Sequence, residues 1–117
     1  MARFPRLVLW VGSSKDDISA LRKPVKATFG QRLWQMQNGE TPIDMRSLTQ
    51  FGTGVFELRE RFDKNAYRLV YAVNLKKAIY VLHTFMKKSK SGIWLPKHDI
   101  ELIEARLKRA HAADAED

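Results

Sequence analysis

The chain contains no cysteine, which excludes disulfides, thiolate zinc sites and a cysteine nucleophile and fits a reducing cytoplasm. Histidine is scarce as well. His83, His98 and His111 are scattered and have no cysteine to join them, so no metal site is expected. Long apolar runs are missing: Leu7 to Val11 gives only five residues, too few for a secretory core or a membrane span. The expectation is a soluble, cytoplasmic protein. Glycine-rich phosphate loops are missing too, because Gly52-Thr53-Gly54 is short and lacks the following Gly and Lys. Repeats and low-complexity tracts are not found.

Acidic residues are in deficit: 13 Asp and Glu face 21 Lys and Arg, for a net charge of +8 across 117 residues. So large a surplus attracts polyanions, and nucleic acid or an acidic surface is the expected partner. A solvated basic surface serving solubility alone is the plainer alternative. The length suits one hydrophobic core, so one domain is expected over 1–117, with its core from about 7 to 110 and a frayed tail at 111–117.

Along the chain, Leu7-Val8-Leu9-Trp10-Val11 reads as a buried strand stopped by Gly12-Ser13-Ser14. Ser14 and Asp17 resemble a capping box at the start of a short helix over about Lys15 to Lys23. Pro24 suits the first turn of a second helix. Val25, Phe29, Leu33 and Met36 line one face of it, Gly30 permits close approach by a neighbour, and Asn38-Gly39 ends it. Glu40 to Gly54 reads as a loop anchored by Leu48 and Phe51. Strands follow at Val55–Arg61, Tyr67–Asn74 and Ala78–Met86, the first two joined by Asp63-Lys64-Asn65 turn chemistry. From Pro96, the spacing of Ile100, Ile103, Leu107 and Ala110 predicts a closing helix, with Asp99 as a candidate N-cap. The order β-α-α-β-β-β-α predicts an α+β fold with a mainly antiparallel sheet and helices packed on one face.

Parity then assigns side chains to faces. Glu57, Arg59 and Arg61 share one face of their strand; Arg68, Val70 and Ala72 share one face of the next. Val81, His83, Phe85 and Lys87 share a face of the third, opposite Tyr80, Leu82, Thr84 and Met86. If the apolar sets meet the helices, Arg59, Arg68, His83 and Lys87 converge on an open face, where a phosphodiester could neutralise them. Arg59 could instead pair with Glu57 or Glu60. Beyond the third strand, Met86 to His98 holds Lys87, Lys88, Lys90 and Lys97 without an acid, a candidate phosphate collar or simply a solvated loop. Trp94 could stack on a base or plug the core.

At Val55-Phe56-Glu57-Leu58-Arg59, Tyr67-Arg68-Leu69-Val70-Tyr71 and Val81-Leu82-His83-Thr84-Phe85-Met86-Lys87-Lys88, the chain resembles RelE/HigB superfamily toxins of type II toxin–antitoxin modules. The phage-derived HigB-like branch is the nearest likeness. The Pro96-led helix ending in Glu104-Ala105-Arg106-Leu107 fits too, and the similarity spans roughly Leu7 to Arg109. The resemblance implies a RelE-like fold and ribosome-dependent mRNA cleavage without metal or organic cofactor, restrained by a helix-turn-helix antitoxin. It carries function onto Arg68, Lys87 and Lys88, and onto Arg59. Where related toxins place a catalytic Tyr or His after the last strand, this chain has Ile93 and Trp94.

In such chemistry the ribose 2′-OH attacks the adjacent phosphate, leaving a 2′,3′-cyclic phosphate and a 5′-OH. Arg68 would stabilise the phosphorane, Lys87 or Lys88 would position the phosphate or protonate the leaving oxygen, and Lys or His83 would be the base. Arg59, Arg61, Lys90, Lys97 and Trp94 are the candidate RNA contacts. Two other readings use the same residues: a non-catalytic RNA-binding module, and a ParE-like gyrase inhibitor on the same scaffold.

Overall fold

The early apolar run forms β1 (Leu7–Trp10), and the chain leaves it through Gly12 at a left-handed φ of 60°. Glycine is required here for a second reason. A Cβ at this position would stand 2.6 Å from Nε of Arg106, whose guanidinium passes close by. The structure, a computed structural model, describes residues 5–87 and 95–116.

Two helices follow, α1 (Ser14–Ser19) and α2 (Lys23–Gln37). The capping box does not form. Ser13 is the N-cap, and its hydroxyl donates to the Asp17 carboxylate at 2.8 Å. Ser14 is buried, and its hydroxyl donates instead to the Val81 carbonyl at 3.1 Å. Burial decides this outcome, because an unpaired buried hydroxyl costs about 1–3 kcal/mol. The first helix also stops short of Lys23, since Arg22 is extended and α2 begins beyond it with Pro24 in its first turn. Val25, Phe29, Leu33 and Met36 are buried as their spacing requires, and Gly39 ends the helix at φ 84°. Gly30 faces open space, so no neighbour uses the room it leaves.

The sheet adds β2 (Arg46–Ser47), β3 (Val55–Phe62), β4 (Asn65–Ala72) and β5 (Ala78–Lys87), in the order β1-β5-β4-β3-β2. β1 runs parallel to β5; the other pairs are antiparallel. Asp63 and Lys64 make the β3–β4 turn with φ of 51° and 66°, the left-handed pair that matches strand twist in a two-residue hairpin. Within the segment expected to be loop, residues 46–47 pair with β3, Thr49–Phe51 make a 3₁₀ turn, and Leu48 and Phe51 anchor to apolar neighbours.

Two apolar clusters lie on opposite faces. α1 and α2 cover Leu58, Tyr67, Leu69, Tyr71, Ile79 and Val81. The last helix, α3 (Lys97–Ala115), places Ile103 and Ala110 against Val70, Ala72, Tyr80 and Leu82. The α+β assignment and the element order hold, but helices flank both faces rather than one. The cause is a β-bulge. Val70 pairs with His83 and Tyr71 with Val81, which leaves Leu82 without a partner on β4. Strict alternation fails there: Tyr80 and Leu82 fall on the face of His83, while Val81 turns to the other. The second face thereby gains an apolar half that α3 must cover. Arg106 on α3 seals the irregularity, donating from Nη1 to the Leu82 carbonyl at 2.9 Å and from Nη2 to the Ser13 hydroxyl at 2.9 Å.

The end of α3 does not fray at His111 but remains helical to Ala115. Buried Asp114 accepts from the amides of Lys76 at 2.8 Å and Lys77 at 2.7 Å, and from the Tyr80 hydroxyl at 3.2 Å. Burial pushes its carboxyl up, but those three donors and the Lys77 charge outweigh this and hold it below its ordinary value of 3.8. The folded value is thus the lower one. The carboxylate's contribution is complete above about pH 3.8 and drains away as pH falls through the folded value. Asp114→Ala should cost about 1.5–3 kcal/mol in urea unfolding at pH 7 and flatten the wild-type loss of stability in acid; an unchanged midpoint would show the clamp to be idle.

Candidate functional site

Cross-strand registers arrange the rest of the second face in three rows. Arg46, Glu57, Val70 and His83 make the first, one residue from each of β2 to β5. Arg59, Arg68 and Phe85 make the second. Arg61, Ala66 and Lys87 make the third. Opposed residues in a sheet share a face, so the register gathers the guanidiniums of Arg59 and Arg68 and the ammonium of Lys87 around one carboxylate.

That carboxylate is Glu57. Its Oε1 accepts from Arg59 Nε at 3.1 Å, and its Oε2 lies 3.3 Å from Nη1 of Arg68 as an ion pair. Glu57 and Arg68 are each 2% exposed and Lys87 is 7% exposed, while Arg59 is half-buried. The expected open cationic surface is therefore corrected: these groups share a face, but they form a buried ion cluster. The reason is local. Glu57 stands two residues from Arg59 on the same side of β3, so the sheet carries its own counter-ion. Glu60 takes no part with Arg59; its Oε1 accepts from the Arg61 amide at 3.1 Å.

Neutralisation is incomplete, because Arg59, Arg68 and Lys87 outnumber Glu57 among the described residues. The Lys87 ammonium is buried and has no hydrogen-bond partner among them. Burial lowers its pKa, Arg68 and Arg59 lower it further, and Glu57 opposes the shift. Arg68 is also lowered by burial, against Glu57, with Arg59 and Arg46 adding like charge. A guanidinium stays charged under such pressure; an amine can give up its proton. The patch therefore pairs a fixed cation with a proton carrier.

His83 stands at the row's end with another task. Its Nε2 lies 2.8 Å from Asp99 Oδ1 on α3, and its ring stacks on Phe85 with centroids 4.3 Å apart. Nδ1 is buried without a hydrogen-bond partner among the described residues. Burial lowers the His83 pKa although Asp99 opposes it, which favours a neutral ring with Nε2–H donating to the carboxylate. Asp99 is accordingly not the N-cap. Pro96 holds that place, and the carboxylate instead ties α3 to β5.

Arg61 is exposed at the edge of the patch, and Lys97 is exposed at the first position of α3. Lys88, Lys90 and Trp94 lie outside the described residues. His98 and His111 are exposed on α3, apart from the cluster. Among the described residues no group of three His, Asp or Glu could hold a metal ion, and no helix is long and apolar enough to cross a membrane. Sequence reasoning missed Arg46, which sits in a Pro- and Gly-bearing stretch without periodicity, and it gave Glu57 no more than the part of an alternative partner. Parity had already put Glu57 on the right face.

The Lys87 shift has a measurable sign. Its folded value lies below the unfolded 10.5, so stability should rise with pH between the two as the penalty on the buried charge is relieved. Lys87→Met should remove that alkaline rise in urea melts as the pH climbs toward 10.5. A rise of equal size in the variant would assign it to another group.

With this geometry in hand, known proteins offer two comparisons. Residues 16–108 match the profile of the family described as Phage derived protein Gp49-like (DUF891). The fold matches a chain from the crystal structure of the toxin–antitoxin complex RelBE2 of Mycobacterium tuberculosis, with a TM-score of 0.52 and 17% identity, covering 75% of this chain and 98% of that one. Among curated proteins no sequence match is found. The structural likeness is one of fold, and it makes this α+β sheet RelE-like. The family match spans most of the sequence and includes every strand that builds the ion cluster: the chain belongs to the phage-derived Gp49-like family.

Proposed function

We propose that the protein is the toxin of a toxin–antitoxin system, and that it cleaves mRNA on the ribosome by 2′-OH attack on the adjacent phosphate. The observation that carries this reading is the convergence of Arg59, Arg68 and a buried Lys87 of lowered pKa on one patch. Family membership and the fold shared with a chain of a toxin–antitoxin complex support it. Arg68 offers the dianionic phosphorane a permanent charge and a planar fork. Lys87, eased toward the neutral amine by burial, exchanges the proton of the 2′-OH or of the leaving oxygen. Lys88 extends the same basic run. Arg59 and Arg61, with Lys90, Lys97 and Trp94, hold the RNA around the reacting link. His83 orients the patch through Asp99 rather than supplying the base. The chemistry asks for no metal or cofactor, and the restraining partner is a helix-turn-helix antitoxin that covers the basic face.

One observation favours holding RNA over cutting it: the cations are already partly satisfied by Glu57. Denaturing gels of mRNA recovered from translating ribosomes separate the two readings, because a binder leaves it intact. Arg68→Lys keeps a cation beside Glu57 and sacrifices the fork, whereas alanine would strip a buried carboxylate of one partner. The lysine variant should fold and should lose about a hundredfold to a thousandfold of ribosome-dependent cleavage. Near-normal cutting by it would remove Arg68 from the mechanism.

A further inference from the structure

The Glu57 carboxylate presents one oxygen to Arg59 and the other to Arg68, at 3.1 Å and 3.3 Å. Two oxygens on one centre, each facing a different guanidinium, is also how such a pair grips the non-bridging oxygens of a phosphodiester. The Arg68 contact is an ion pair in which Glu57 Oε2 has no hydrogen-bond geometry with any described residue. A carboxylate held in this way is a replaceable ligand. Lys87 stands one row from Arg68, and exposed Arg46 lies directly across the strand boundary from Glu57. An anion arriving between the guanidiniums thus meets more positive charge than one carboxylate neutralises.

We propose that Glu57 is a resident anion occupying the phosphate seat of the empty protein, and that a phosphodiester replaces it between Arg59 and Arg68 as Glu57 swings out. The inference rests on the RNA-binding reading above and adds the regulation of that site. In the resting protein Arg59 and Arg68 stay against Glu57, so part of the cluster's charge is compensated in the absence of substrate. A phosphate must compete with Glu57, and its apparent affinity falls by the fraction of molecules whose seat is open. Isolated phosphates therefore bind poorly. An RNA fixed by contacts elsewhere, for instance at Arg46 and Arg61 on the exposed rim, presents its phosphate at high local concentration and displaces the carboxylate.

Glu57→Gln retains shape and removes the competing charge. Calorimetric titration with inorganic phosphate should show at least about tenfold tighter binding to this variant than to wild type, the value for a seat open one time in ten. Equal affinities for the two folded proteins would overturn the proposal. Should the variant not fold, the wild-type protein decides. Titration with phosphate at constant ionic strength should move the Arg59 Nε–H resonance and the Glu57 carboxyl carbon together, and neither moving at saturation refutes the exchange. Wild-type cleavage of ribosomal mRNA alongside unchanged phosphate affinity in Glu57→Gln would sink the seat and keep the nuclease. A tenfold gain alongside uncut mRNA would do the reverse.

Discussion

β5 has to satisfy two faces at once, and the bulge at Leu82 is what allows it. Before the bulge, Ile79 and Val81 complete the core under α1 and α2 while Tyr80 and Leu82 point to the side of α3. After it, His83, Phe85 and Lys87 continue on the α3 side in register with Val70, Arg68 and Ala66. One extra residue thus turns an apolar strip into a polar one without turning the strand over. The orphaned carbonyl is taken by Arg106, Arg106 needs the space left by Gly12, and the same guanidinium reaches Ser13 at the start of α1. The bulge, the close turn after β1 and the seat of α3 form one linked arrangement.

The ion cluster is the second consequence of that register. Burying cations in a sheet is expensive unless each finds opposite charge, and a lone buried pair is itself a weak source of stability. Glu57 reduces the cost for Arg59 and Arg68 but leaves Lys87 under electrostatic pressure. Stability alone gives no reason to keep such an arrangement, since apolar residues of similar volume would fill the space at least as well. Charge density held at the edge of tolerance is what anion recognition requires.

Much of the architecture could be read from the sequence because it rests on local periodicity. The 4-4-3 spacing of Val25, Phe29, Leu33 and Met36 fixed α2, and alternation placed Glu57, Arg59 and Arg68 on a common face. What escaped was set by contacts distant in the chain. Residues 46–47 are a strand only because β3 offers them a free edge, and two residues carry no period. Ser14 abandons capping for a carbonyl 67 positions away, and Asp99 gives up its cap for His83. The bulge defeated parity at Leu82, where counting by twos has no means of registering an inserted residue. Most consequential, alternation reports which side a cation occupies but not whether a neighbour already neutralises it. That distinction separates the exposed surface expected from the buried cluster found.

The parallel pairing of β1 with β5 bears on how the protein is made. Leu7 meets Ala78 and Trp10 meets Val81, so β1 finds its sheet partner among the described residues in β5, the last strand in chain order. The β3–β4 hairpin can close as soon as it leaves the ribosome, whereas joining β1 to β5 must first overcome the entropy of closing a long loop. Lys87 is the last residue of β5, and the helix that ties down His83 comes later still. The ion cluster is therefore completed only once β5 has joined the hairpin, and His83 is fixed only after α3 has docked behind it.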